Sequence, residues 1–225
     1  MFERIAAAVT EGRRVHLVAT AALTNVALLL TLYPEVLPML EAVVIMGGAL
    51  GLGNTGPVQE FNIQSDPEAA AIVLESGARV VLVPLEVTHS ALATPAVLAR
   101  LRGDGTPVAG ARLLAQLADL LAYFGAQYLE VFKFAAPPLH DPCAVAYVAA
   151  PELFECEDFR VDVELGSALS RGQTVVDVWR QSGRPANARV AMRMDVPGFW
   201  GATVVAAHAA AVAAAARDAA DGAPS

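Results

Sequence analysis

The residues best suited to chemistry are an adjacent histidine and aspartate, His140 and Asp141, in the segment Pro-Leu-His-Asp-Pro-Cys. The apolar run Ala144–Ala149 follows and is typical of a helix, so the pair stands at a predicted helix start, where free N–H groups favour negative charge. A proton-donating imidazole beside a hard oxygen ligand suits metal-assisted hydrolysis. A helix cap next to a polar surface histidine is the commoner reason for such a pair, and the pair alone leaves both interpretations open.

A second polar group lies in a glycine-rich segment, residues 47–64, which is predicted to be a loop. Glu60 and Asn62 are two residues apart, so in an extended chain their side chains point to the same side and can bind hydroxyl groups. The alternative is a solvated loop with Phe61 tucked into the core. The glycines lack the Gly-Lys-Ser/Thr ending of a phosphate-binding loop, so they indicate close backbone approach instead.

The elements that must position these residues follow an alternating pattern in the first half of the chain. Apolar β runs are predicted at residues 14–19, 42–46 and 79–83, and helices at residues 2–9 and 23–32 and after Asp66. Asp66 is a capping residue and Pro67 occupies the first helical position. This alternation predicts an α/β fold whose mostly parallel sheet has helices on both faces.

In such folds ligands bind beyond the carboxyl ends of the strands. This rule places Thr20, the Met46–Asn62 segment and the Glu86–Thr94 segment on one functional edge. The second half departs from strict alternation, and no domain boundary is evident, so residues 1–225 are predicted to form a single domain. The remaining predicted elements are helices at 95–102 and 112–134, β runs at 159–165, 174–179 and 188–195, the first two hairpin-like, and a terminal helix from Phe199.

The composition limits the class of protein. Of the 225 residues, 56% are hydrophobic and 17% charged, which excludes a disordered chain. The net charge of −8 would repel a phosphate backbone, so nucleic acid is not an expected partner. The two cysteines and the absence of an apolar leader predict a cytoplasmic protein. No membrane partner is expected, because Thr20, Thr24 and Asn25 interrupt the uncharged run Val15–Tyr33 and the run Ala202–Ala216 is only weakly hydrophobic.

Several short motifs, taken in order, resemble those of the inosine/uridine-preferring nucleoside hydrolases. The resemblance runs from about Val15 to about Trp200. The motifs are Thr20–Asn25, Met46–Gly48, Asn54, Glu60–Asn62, Asp66–Ala70, Thr88–His89 and His140–Pro142.

The resemblance implies a calcium-assisted hydrolase that cleaves the N-glycosidic bond of ribonucleosides to ribose and a free base. It implies that the Thr20 carbonyl and Asp141 bind calcium, and that His140 is the acid that assists the leaving base. It also implies a homodimer or homotetramer. The substrate contacts that it implies are Met46, Asn54, Glu60, Phe61, Asn62, Tyr128 and Asp141.

One part of the family pattern has no counterpart here. The family opens with the aspartate cluster Asp-x-Asp-x-x-x-Asp-Asp, which supplies most of the calcium ligands and the base that activates water, whereas the first aspartate of this chain is Asp66. Relative to the family the chain therefore lacks the first strand–helix units. Three hypotheses follow: a longer natural protein, an inactive remnant or nucleoside-binding protein without catalysis, or a partner chain that supplies the strands.

Overall fold

The computed structural model describes residues 1–105 and 109–221, apart from the side chains of residues 126 and 218–221. Within these residues five strands form a sheet and two more form a hairpin. The strands are β1 (His16–Ala19), β2 (Ala42–Met46), β3 (Val80–Val83), β4 (Phe154–Phe159), β5 (Val161–Val163), β6 (Thr174–Val176) and β7 (Ala188–Met194).

The described part of the chain also forms nine α-helices and short 3₁₀ turns at Pro34–Met39 and Pro151–Leu153. The helices are α1 (Phe2–Thr10), α2 (Thr24–Leu32), α3 (Phe61–Ser65), α4 (Pro67–Glu75), α5 (Leu85–Thr88), α6 (Pro95–Leu101), α7 (Ala111–Phe132), α8 (Asp141–Ala149) and α9 (Val196–Asp221).

The sheet has the order β1-β2-β3-β7-β4. Neighbours from β1 to β7 are parallel, and β4 runs antiparallel to β7. Every residue of β2 and β3 is buried, as expected for central strands that are covered on both faces. The prediction of an α/β fold with a mostly parallel sheet is therefore confirmed.

The chain folds as two compact units. The first, Met1–His89 with His140–Met194, contains both sheets, α1 to α5 and α8. In the second unit α6, α7 and α9 pack together around Leu114, Ala118 and Phe199, each fully buried. Within residues 196–217 of α9, an 18-residue window has a mean hydropathy of 1.6 and meets the length and composition of a membrane span, a test that core helices of soluble proteins also meet.

Three helices or strands differ from the sequence prediction: helix α5, which no pattern predicts, and the two that follow. The end of the predicted loop folds into the short helix α3, because the Glu60 carboxylate caps its first amides. Strand β4 was not predicted, since its sequence Phe-Glu-Cys-Glu-Asp-Phe is rich in charge. Its residues Glu155 and Glu157 are exposed on an edge strand, where charge is tolerated.

The β5–β6 hairpin, predicted from the alternation at 159–165 and 174–179, is anchored to helix α4 by Arg160. The Arg160 guanidinium is 5% exposed and forms ion pairs with Glu75 and Asp162. A buried guanidinium of this kind is tolerated only because carboxylates pair with it. The anchored hairpin holds Thr174, its residue closest to the candidate site, in a fixed position.

Candidate active site at the carboxyl end of the sheet

Three segments that are distant in sequence meet where the parallel strands end. Met46 closes β2, and the next amide, Gly47, donates to the carbonyl of Val83 at the end of β3, 3.3 Å away. Helix α8, which begins at Asp141, packs against β1 and β2. The segment after β2, the helix after β3 and the start of α8 therefore lie at one edge, as the topology rule predicts.

The glycine-rich segment is held by its own backbone amides. Gly48 N donates to Glu60 Oε2 at 3.0 Å, and Ala49 N donates to Thr174 Oγ1 at 2.9 Å. The next two amides, Leu50 N and Gly51 N, both donate to Glu86 Oε1 at 3.0 Å. Since four successive amides already have protein acceptors, this loop does not cradle a phosphate group.

Thr174 holds this loop through two hydrogen bonds to a single residue. Its hydroxyl accepts from Ala49 N and donates to Ala49 O, the latter at 2.6 Å. Gly48 has a φ of +75°, and a Cβ there would lie 2.9 Å from Thr174 Cγ2. A glycine is therefore required both by the positive φ and by the close approach of the hairpin.

Replacing Thr174 by valine is expected to destabilise the protein by about 1–3 kcal/mol, because both polar groups of buried Ala49 lose their partner. Thr174→Ser keeps the hydroxyl and is expected to lose much less. Urea denaturation followed by circular dichroism measures both variants. Equal stability of Thr174→Val and the unmodified protein would show that the hairpin does not hold the loop.

Glu60 is a positioning residue for this loop. The side chain is 2% exposed, and its carboxylate accepts from Asn62 N at 2.9 Å, Ile63 N at 3.1 Å and Gly48 N at 3.0 Å. Burial raises the pKa of Glu60 despite these three donors, and the nearby charge of Asp141 adds to the rise. The geometry thus gives the carboxylate a backbone role at the site, whereas its contact with a sugar stays a prediction.

Asn62 faces the end of β2. Its Nδ2 donates to the Met46 carbonyl at 3.0 Å and lies 3.4 Å from Met46 Sδ. Within the described residues no protein donor reaches Oδ1 of Asn62, so this oxygen can accept a bond from a ligand hydroxyl. Asn54 Oδ1 accepts from Phe61 N at 2.9 Å, and the Phe61 ring is 59% exposed rather than tucked into the core.

His140 is held by residues of the Thr88–His89 motif. Thr88 Oγ1 lies 2.8 Å from His140 Nδ1, and the His89 ring packs edge-on at 5.5 Å between centroids. Burial, together with a smaller effect of the nearby His89, lowers the pKa of His140 to about 4. Near neutral pH the ring is therefore uncharged and can assist a leaving group as a hydrogen-bond donor.

The two predicted metal ligands supply few donors. Asp141 opens α8, and burial raises the pKa of its carboxyl group. Thr20 directly follows β1. Across residues 1–105 and 109–221 no three His, Cys, Asp or Glu side chains are grouped to hold a metal ion. Calcium takes six to eight oxygen ligands, so the residues present do not fit a calcium site by themselves.

Tyr128 belongs to helix α7 of the second unit, where its ring centroid lies 5.5 Å from that of Phe132. Its contact with a base stays a prediction. Sequence reasoning missed Glu86 and Thr174, which hold the loop from 35 and 125 residues away. Neither has a local signal, because a single Glu or Thr beside apolar residues is common on helices and strands.

Comparison with known proteins decides the family. A sequence profile described as "Inosine-uridine preferring nucleoside hydrolase" matches residues 1–201. The chain belongs to this family. The predicted nucleoside hydrolase resemblance is thus confirmed.

Several nucleoside hydrolases are similar to this chain in sequence or in fold. A probable ribonucleoside hydrolase of Dictyostelium discoideum is 42% identical over 89% of this chain and 60% of the relative. A pyrimidine-specific ribonucleoside hydrolase of Shewanella baltica is 43% identical over 82% and 57%. The structure of a purine-preferring ribonucleoside hydrolase from Gardnerella vaginalis aligns with a TM-score of 0.76 at 31% identity, covering 88% of this chain and 61% of that one. The chain therefore spans about three fifths of the length of these nucleoside hydrolases.

Proposed function

We propose that this chain binds a ribonucleoside at the Met46–Asn62 segment and takes part in hydrolysis of its N-glycosidic bond. The proposal is supported by the position of three residues in a nucleoside hydrolase fold: Asn62 bonds to the end of β2, His140 bonds to the helix after β3, and Asp141 opens α8, which packs against β1 and β2. Each of the three offers a group that a ribonucleoside can use: an amide oxygen, an imidazole and a carboxylate.

The chemistry divides between the sugar and the base. When the bond between the anomeric carbon and the base nitrogen breaks, its electron pair stays on the base and the sugar becomes oxocarbenium-like. Oδ1 of Asn62 accepts a ribose hydroxyl, with Met46 against the sugar. A hydrogen bond from uncharged His140 stabilises the electron-rich base as it leaves. Water then supplies hydroxide to the sugar and a proton to the base.

No preference between purine and pyrimidine bases is proposed. One relative is called pyrimidine-specific and one solved structure purine-preferring. Both are similar to this chain over more than four fifths of its length and differ in the base that their names give, so we propose that the common chemistry is that of the ribose. We therefore propose ribonucleosides as the substrate class, with Phe61 and Tyr128 as candidate contacts to the substrate.

Calcium assistance is the part of the family chemistry that this chain supports least. Asp141 and the Thr20 carbonyl remain the proposed ligands, and two donors fall short of a calcium site. We expect this chain to bind calcium with a dissociation constant weaker than about 1 mM. Isothermal titration calorimetry, with Asp141→Asn as the control, measures it. Binding in the micromolar range that Asp141→Asn abolishes would overturn the expectation.

A second candidate function is nucleoside binding without turnover. It is favoured by the shortage of metal ligands within residues 1–105 and 109–221, because the family places its water-activating base among such ligands. The two candidates share the sugar site and differ in product formation.

Ribose release from uridine, cytidine, inosine and adenosine tests the proposal on the purified chain. Hydrolysis that Asn62→Ala weakens supports the first candidate. Saturable binding of the same nucleosides without ribose, again weakened by Asn62→Ala, supports the second. If the chain neither released ribose nor bound these nucleosides, both candidate functions would be overturned. Arg13→Ala is a suitable control, because Arg13 is exposed ahead of the amino end of β1 and pairs with the exposed Glu11.

We further propose a cytoplasmic homodimer or homotetramer. The exposed apolar side chains of helix α7 in the second unit, Leu120, Tyr123 and Val131, support self-association. The net charge of −8 argues against nucleic acid as a partner. Sedimentation at several concentrations measures the assembly, and a monomer throughout would contradict it.

A further inference from the structure

We infer that Thr88 fixes His140 in the tautomer that carries its proton on Nε2, which makes Thr88 a positioning residue for the bond to the leaving base. The catalytic consequence rests on the proposed function. The tautomer itself does not, because it follows from hydrogen-bond geometry. An uncharged imidazole donates from one nitrogen only, so the identity of that nitrogen decides which group the ring can serve.

The direction of the Thr88–His140 bond follows from the hydroxyl proton. Thr88 is fully buried, so its single hydroxyl proton needs a protein acceptor. Among the residues that the structure describes, two acceptors are within reach: His140 Nδ1 at 2.8 Å and the Leu85 carbonyl at 3.4 Å. The first distance is ideal for a hydroxyl donor, and the second is at the limit of a hydrogen bond.

The Leu85 carbonyl is also the less suitable acceptor because it already accepts from His89 N at 2.8 Å. If Nδ1 of His140 carried the proton, the Thr88 hydroxyl would have to accept that bond and direct its own proton along the 3.4 Å contact. A buried donor with so poor an acceptor costs free energy. Donation from Thr88 to Nδ1 avoids this cost and leaves the imidazole proton on Nε2.

The neighbouring ring supports the same arrangement. His89 packs edge-on against His140, and its backbone amide is fixed by the Leu85 carbonyl. Thr88, the last residue of the short helix α5, holds the His140 ring by a hydrogen bond, and His89, directly after the helix, packs against it. Helix α5 also carries Glu86, which holds the glycine-rich loop, so one element positions both the ring and the loop.

The protein contains its own reference for the measurement. His208 Nε2 lies 3.0 Å from the carbonyl of Leu101. A carbonyl can only accept, so this contact requires a proton on Nε2 of His208. The sequence has four histidines, which makes the imidazole signals few enough to assign by single substitutions.

Long-range proton–nitrogen NMR correlation of isotopically labelled histidine, recorded near pH 7.5, tests the inference. We expect His140, assigned by loss of its signals in His140→Gln, to show a protonated Nε2, as the contact of His208 requires for that ring, and an Nδ1 without a proton. The opposite pattern in the unmodified protein would overturn the inference whatever the variants do.

The variants separate positioning from packing. Thr88→Val keeps the shape of the side chain and removes the donor, so the Nδ1 and Nε2 signals of His140 should shift towards each other as the two tautomers mix. Thr88→Ser should restore the original pattern, and His208 should not change in either variant. An unshifted His140 in folded Thr88→Val would overturn the role of Thr88.

The outcome is independent of turnover. Should the chain release no ribose and bind no nucleoside, the NMR pattern still decides the tautomer, so failure of the proposed function and failure of this inference are told apart. Where ribose release is measurable, Thr88→Val should lower kcat about tenfold or more with KM nearly unchanged. Thr88→Ser should keep most of the kcat of the unmodified protein.

Discussion

With the proposed hydrolysis of ribonucleosides, replacing His140 by alanine is expected to lower kcat by about 10²–10³-fold, the usual cost of losing one donor to a developing negative charge. KM should change little, because the hydrogen bond strengthens only as the base departs. Ribose release under saturating nucleoside measures the effect. His16→Ala is the matched control, since His16 is exposed at the amino end of β1, away from the carboxyl edge of the sheet.

The pH dependence of the same reaction distinguishes an uncharged donor from a charged acid. Because burial lowers the pKa of His140 to about 4, its protonation should not change between about pH 6 and pH 8. The ratio of kcat between the unmodified protein and His140→Ala is therefore expected to be constant over that range. If this ratio fell towards one as the pH rose, with a midpoint near pH 6.5, the charged imidazolium would be the form that assists the leaving base.

Replacing Glu60 by alanine is expected to reduce the free energy of unfolding by about 3–5 kcal/mol, because three buried amides lose their acceptor. The amides belong to Gly48, Asn62 and Ile63, so the loop and the start of α3 should loosen together. Urea denaturation measures the change. Glu68→Ala is the control, since Glu68 is an exposed carboxylate in the first turn of α4 and should shift the midpoint little.

The same variant decides whether Glu60 acts on the backbone or on the sugar. If Glu60→Ala retains full stability while ribose affinity falls, the carboxylate is a direct ligand and the positioning role is wrong. Glu60→Gln gives an intermediate test, because its carbonyl oxygen can still accept from Asn62 N while its NH₂ group cannot accept from Gly48 or Ile63.

The sheet was predictable because its strands are short, apolar runs. Ala42–Met46 has no polar side chain, and the strand matches the predicted bounds. The cap at Asp66 and the proline after it also placed the start of α4 correctly, as Asp66 accepts from Ala69 N. Local chemistry decides such features, so one sequence suffices to predict them.

The arrangement of the site was only partly predictable. Motif order brought Asn62 and His140 into one hypothesis, and the carboxyl-edge rule located the loop. The partners that hold these residues, Thr174, Glu86 and Thr88, act across folded space, and no spacing predicts which hydroxyl meets which ring. The pKa of His140 was equally hidden, since it depends on burial by elements far away in sequence.

The most direct test of the account is electron density from a crystal of this chain soaked in ribose. We expect the sugar at the Met46–Asn62 segment, with one hydroxyl bonded to Oδ1 of Asn62 and the anomeric carbon towards His140. Ribose bound at another surface, with this segment empty at saturating sugar, would contradict the account.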